Sequence, residues 1–91
     1  MPSVSVRLPL QLRAGIALGP SVRVAARTVE EALHAIAAQY PEIRTGLFEG
    51  TAVRTGLNLY VNSEDVRYRS GVRTPLSDGD EVVVLSAAHG G

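Results

Sequence analysis

The sequence predicts an α+β domain of two layers, in which one amphipathic helix lies across one face of a small sheet. Period-two alternation of apolar and polar residues recurs at 3–8, 21–26 and 57–62, and the apolar run at 81–86 sets Val82 and Val84 on one side. That period marks strands with one buried face. Residues 29–40 instead carry apolar side chains at spacings of three and four, the helical period, and a lone helix of this kind must cover a sheet. At 91 residues, 45% apolar and 20% charged, the chain has the material for one hydrophobic core and no second domain.

The first strand, at 3–8, turns Val4, Val6 and Leu8 to one face and Ser3, Ser5 and Arg7 to the other. Gly15, Gly19 and Pro20 favour a turn across 14–20, after which Val22 and Val24 continue the alternation, so a hairpin is expected. Thr28-Val29-Glu30-Glu31 has the form of a capping box, with the Thr28 hydroxyl taking the Glu31 amide. The helix then runs over 29–40 with a stripe of Val29, Ala32, Leu33, Ile36, Ala37 and Tyr40, and Pro41 ends it. Glu30 and Glu31 oppose the positive end of its dipole. Residues 42–56 read as loop with one helical turn, anchored by Ile43, Leu47 and Phe48. The strand at 57–62 leads through a turn at 62–65 into a short strand expected from Val66, and the 76–80 turn leads into the last strand, 81–86. By parity, Tyr60, Val83 and Leu85 fall on the face away from the helix, where they form a candidate docking patch.

Composition excludes several chemistries. Basic and acidic side chains number nine each, so the phosphate-neutralising excess of a nucleic-acid binder is missing and no nucleic-acid partner is expected. Every basic residue is Arg; without Lys there is no Schiff base, no phosphate-loop lysine and no self-linkage through a side-chain amine. Without Cys there is no disulfide, thiolate nucleophile or cysteine metal site. No run approaches the roughly 20 apolar residues of a membrane span, and nothing reads as a secretory signal, so a soluble cytoplasmic protein without a membrane partner is expected. His34 and His89 are too few and too far apart for a zinc site, and no metal or bound cofactor is expected. Glu64 with Asp65, and Asp78 with Asp80, sit in turns and read as caps for backbone amides. The parts of a free-standing enzyme are missing.

The end of the chain is different. Gly90-Gly91 follows Ala87, Ala88 and His89, and a strip without side chains can pass a narrow channel and carry its carboxylate into another protein's active site. A carboxylate reacts only once activated, so this reading requires a partner that adenylates it with ATP, after which a sulfur or amine nucleophile can displace the adenylate.

The β-β-α-β-β-β order, the approach Leu76-x-Asp78-Gly79-Asp80-Glu81-Val82 and the terminal Gly90-Gly91 together resemble the ubiquitin-like sulfur carriers. The segment from Asn58 to Tyr68 is most similar to the branch containing the bacterial cysteine-biosynthesis carrier. The resemblance covers essentially the whole chain. It implies a β-grasp fold, with a mixed sheet, one main helix packed on one face, a domain over 1–86 and a flexible diglycine tail over 87–91. It implies that Gly91 is adenylated and converted to a thiocarboxylate by a ubiquitin-activating-type enzyme, and then gives sulfur to a biosynthetic enzyme. The chain would thus be a co-substrate of enzymes and not itself an enzyme. Gly90 would give a slim approach, and Ala87, Ala88 and His89 would line the partner's channel. Tyr60, Val83 and Leu85 would dock the activating enzyme. Cysteine synthesis is the favoured destination, with a metalloprotease later freeing the product; molybdopterin, thiamine and natural-product pathways use similar carriers. A modifier forming isopeptide bonds and a non-reactive interaction module are the alternatives. His89 departs from the small residues usual before the diglycine, and the sequence assigns it no role.

Overall fold

Branched residues at every second position give the first two strands a single buried face. In the computed structural model, which describes residues 1–86 and only the backbone of Ser86, β1 (Ser3–Arg7) and β2 (Ser21–Ala25) pair antiparallel. Val4 lies opposite Val24 and Val6 opposite Val22. Their connection is more structured than the expected turn. A single helical turn, α1 (Leu10–Arg13), follows Pro9, and Arg13 Nε donates to the Leu8 carbonyl at 3.0 Å.

The capping box forms at the head of α2 (Val29–Gln39), where the Glu31 amide donates to Thr28 Oγ1 at 3.2 Å. The Glu31 carboxylate reaches back one residue further than a minimal box, to the Arg27 amide at 2.9 Å. Val29, Ala32, Leu33, Ile36 and Ala37 are buried, whereas Tyr40, just past the helix, is half-buried. After Pro41, a 3₁₀ turn (Pro41–Ile43) runs into α3 (Arg44–Leu47). The expected anchors Ile43, Leu47 and Phe48 are all buried. Beyond them lies a feature not expected from the sequence, a miniature antiparallel pair of β3 (Phe48–Glu49) and β4 (Ala52–Val53).

Strand β5 (Leu57–Val61) is followed by β6 (Glu64–Asp65), which pairs with its last two residues. This corrects the expected strand from Val66: the pairing ends at Asp65, and Val66–Tyr68 forms a 3₁₀ turn. The reason is local. Asp65 caps that turn by accepting the Arg67 amide at 2.8 Å, while Val66 turns inward and is buried. Asn62 and Ser63, at φ of 50° and 74°, make the two-residue connection of the kind that matches strand twist.

The last strand, β7 (Glu81–Ser86), lies in the middle of the sheet, whose order is β2-β1-β7-β5-β6. It runs parallel to β1, with Val6 opposite Val82, and antiparallel to β5, with Leu59 opposite Val84. A mixed sheet results. Helix α2 covers one face, where its stripe joins Val4, Val6, Leu8, Leu59, Val61, Val82 and Val84 in one core.

The approach to β7 is fixed by polar contacts. Thr74 is fully buried, and its hydroxyl donates to the Gly71 carbonyl at 2.6 Å and accepts the Ser70 amide at 3.2 Å. The Thr74 carbonyl accepts the Val29 amide, and the Leu76 amide donates to Arg27, tying this approach to the helix start. In the turn that follows, Asp78 accepts the Ser3 amide at 2.8 Å, Asp80 accepts the Ser77 amide at 2.8 Å, and Gly79 takes φ of 88°. The acids of this turn are caps, as expected.

Asn62 links the β5–β6 turn to this one, since its Nδ2 donates to Asp80 at 2.8 Å and its Oδ1 accepts the Glu81 amide at 3.0 Å. Asn62→Ala removes both bonds and a residue that tolerates positive φ. It should destabilise the fold by about 1–3 kcal/mol, read as a lower urea midpoint with an unchanged slope.

Candidate functional site

Two places were singled out by the sequence, the sheet face opposite α2 and the end of the chain. On the sheet face, Tyr60 of β5 lies opposite Val83 of β7, Leu85 lies opposite Asn58, and Val83 lies opposite Arg7 of β1. Paired positions put side chains on one face, so the structure brings Tyr60, Val83 and Leu85 together as expected. The patch is flatter than three protruding apolar residues would make it. Tyr60 and Val83 are half-buried by their neighbours, and Leu85, 43% exposed, is its most open member.

Charges border the patch. Arg7 and Glu81 approach to 3.6 Å with both side chains about half exposed, an arrangement that contributes little to stability in water. On the other side Asp65, opposite Tyr60, holds Arg67 through both carboxylate oxygens at 2.7–3.2 Å. The hydrogen bonds from the Arg67 side chain and amide keep the Asp65 carboxyl below the usual carboxylate range. In return, the Asp65 hydrogen bond raises Arg67, with smaller contributions from Tyr68 and Tyr60. The sequence identified Asp65 as a cap but not this fork, nor Tyr68, which stands one residue beyond it at 81% exposure.

Because β6 pairs only with Tyr60 and Val61, residues 57–59 face a hollow of about 260 Å³ lined by Leu57, Leu59, Val66 and Val72, with Arg54 and Arg67. On the helix side, His34 stacks on Phe48 at 4.3 Å between ring centroids, and the Arg44 guanidinium lies 5.4 Å from the same ring. His34 is therefore a packing residue. No group of three or more His, Cys, Asp or Glu is placed to hold a metal ion among the described residues. None of the helices there is long and apolar enough to cross a membrane.

Strand β7 delivers the chain to Ser86, opposite Leu57. Ala87, Ala88, His89, Gly90 and Gly91 lie outside the described residues. Five residues span at most about 18 Å, so whatever handles Gly91 must come within that distance of Ser86.

Comparison with known proteins bears on the family and the fold. Residues 19–91 match the ThiS family. The chain is 33% identical to the sulfur carrier protein CysO of Mycobacterium tuberculosis (strain ATCC 25618 / H37Rv) over 92 aligned positions, covering 98% of this chain and 99% of the relative. Among solved structures, it superposes on a chain of the Amycolatopsis orientalis BexX/CysO complex with a TM-score of 0.84 and 32% identity, over 97% of this chain and 99% of that one. The small archaeal modifier protein 1 of Methanosarcina acetivorans gives a TM-score of 0.89 at 26% identity, over 100% and 98% of the two chains. The fold is thus the ubiquitin-like β-grasp that the resemblance implied.

The Asp65–Arg67 fork predicts a pH dependence. The folded state lowers the Asp65 pKa, so its contribution is complete above the unfolded carboxylate value and is lost as pH falls through the lowered folded value. An NMR titration should place the Asp65 midpoint below that of an ordinary aspartate, and Arg67→Ala should move it back up. An unchanged midpoint in that variant would show that the fork does not set it.

Proposed function

The chain belongs to the ThiS family and is a ubiquitin-like sulfur carrier of the CysO type, and from that premise we propose that Gly91 is the residue on which the sulfur travels. In this reading the Gly91 carboxylate attacks the α-phosphorus of ATP on a ubiquitin-activating-type enzyme, and pyrophosphate leaves. Hydrosulfide then attacks the acyl carbon of the adenylate, its proton is lost, AMP leaves, and the terminus is a thiocarboxylate. Its anionic sulfur is a good nucleophile, and transfer inside an enzyme pocket keeps it from water. A carrier of this kind is consumed and regenerated by enzymes and is not itself a catalyst.

The observation that carries the proposal is the extent of the family match, which runs through residue 91 and so includes the diglycine. The fold is consistent with it. Residues 1–86 would serve as the recognition domain and 87–91 as the tail, with Gly90 supplying slimness and Ala87, Ala88 and His89 lining the channel. Tyr60, Val83 and Leu85 lie on the strand pair that delivers Ser86, so an enzyme within reach of Gly91 is placed to cover them.

Cysteine synthesis is the destination we favour, supported by the near-full-length likeness to CysO and by the 58–68 segment. The accepting enzyme would bind an activated serine derivative on pyridoxal phosphate, and a metalloprotease would release the cysteine. The likeness to a small archaeal modifier protein supports a second reading, in which a target lysine amine displaces the adenylate and an isopeptide bond forms.

Incubation with an activating enzyme, ATP and hydrosulfide should give a mass gain equal to one oxygen replaced by sulfur. Because methionine oxidation gives nearly the same gain, the product is trapped with an alkylating reagent and the label mapped to Gly91. Deleting Gly91 should abolish the label. Adducts on target lysines in place of a labelled terminus would favour the modifier. On the sheet face, Leu85→Arg should raise the activating enzyme's KM for the carrier by roughly tenfold or more while leaving the unfolding midpoint near that of the wild type.

A further inference from the structure

A large aromatic side chain also stands exposed beyond the sheet edge. Tyr68 is 81% exposed, although an aromatic ring gains most from burial. It also stands on a stiff support. Val66 is buried beneath the turn, the Asp65 carboxylate caps the turn and forks the Arg67 guanidinium, and the Arg69 amide closes it on the Val66 carbonyl at 2.9 Å. A ring presented on a preorganised backbone loses little freedom when a partner closes over it, and such aromatics are the usual anchors of protein interfaces.

Two features indicate what covers it. Asp65 lies opposite Tyr60 and its fork holds Arg67, the residue before Tyr68, so Tyr68 follows directly in the chain on the residues that border the sheet-face patch. From Leu57, opposite Ser86, Tyr60 is roughly 10 Å along β5 and β6 about 5 Å further across, a separation comparable with the reach of about 18 Å from Ser86 to Gly91. The charge is also directional. Residues 67–73 hold Arg67, Arg69 and Arg73 and no acid, while Asp65 and Glu64 pair with the first two. Over 64–73, three arginines stand against two acids, so in a chain of zero net charge this edge carries a surplus of one positive charge.

We propose that Tyr68 is an anchor of the activating-enzyme interface, entering an apolar recess on that enzyme whose rim carries carboxylates. The inference rests on the reading that the β5–β7 face meets the activating enzyme, and it adds a specificity residue outside that face.

The test is steady-state thiocarboxylation of the full chain by an activating enzyme with ATP and hydrosulfide, comparing wild type, Tyr68→Ala and Tyr68→Phe. Tyr68→Ala should raise KM for the carrier roughly tenfold or more with kcat within about twofold, and Tyr68→Phe should recover most of the loss. The wild-type KM should also rise with ionic strength. If KM for Tyr68→Ala stays within about twofold of wild type while Leu85→Arg still raises it, the anchor is overturned and the carrier reading stands. If Tyr68→Ala slows only the transfer of sulfur to the accepting enzyme, the assigned occupant is overturned. If wild type is never thiocarboxylated, the carrier reading falls and the anchor with it.

Discussion

The parallel pairing of β1 with β7 governs the arrangement of everything else. Antiparallel strands can be joined by a two-residue turn, but parallel neighbours require the chain to cross over and return. Here the intervening segment supplies helix α2, which lands on one face of the sheet and buries Val29, Ala32, Leu33, Ile36 and Ala37 against Val4, Val6, Val82 and Val84. The same pairing places β7 in the middle, with β1 on one side and β5 on the other. The strand that delivers the chain to Ser86 is paired with β5 over Val82–Ser86 and with β1 over Glu81–Val83, and the segment leading into it is pinned by Thr74, Asp78 and Asp80. The chain thus reaches Ser86 on a central strand of the sheet.

What was legible in the sequence follows from the range of the interactions involved. Alternation at 3–8 and 57–62 and the stripe of α2 repeat one local preference several times, so their faces could be assigned, and Thr28 with Glu31 forms a cap within four residues. The two-residue strands β3, β4 and β6 are too short to show a period. Their pairing depends on contacts with Phe48 and Tyr60 that local pattern does not reveal. Val66 looked like the start of a strand because it is apolar and branched, yet the Asp65 side chain captures the Arg67 amide and bends the chain there. For the candidate site, parity was enough to put Tyr60, Val83 and Leu85 on one face. Tyr68 escaped because exposure beyond a strand end is decided by the turn.

The division of labour in this molecule is unusual for a protein tied to covalent chemistry. The described residues include no assembled nucleophile and base and no metal cluster; their acids cap turns and their histidine packs on an aromatic ring. The sheet face opposite α2 is shallow and exposes little apolar area, with Tyr60 and Val83 half-buried. Charge is balanced over the whole chain, and beside Tyr68 the arginines Arg67 and Arg69 pair with Asp65 and Glu64.

The central place of β7 has a mechanical side. Tension applied at Ser86 along the strand axis meets the hydrogen bonds to β5 over Val82–Ser86, and behind them those to β1 over Glu81–Val83, in shear. They are loaded together, whereas a strand peeled from a sheet edge loses its bonds one after another. A pull at Ser86 is thereby spread along β7 into its two neighbours, and the domain resists unravelling from that end.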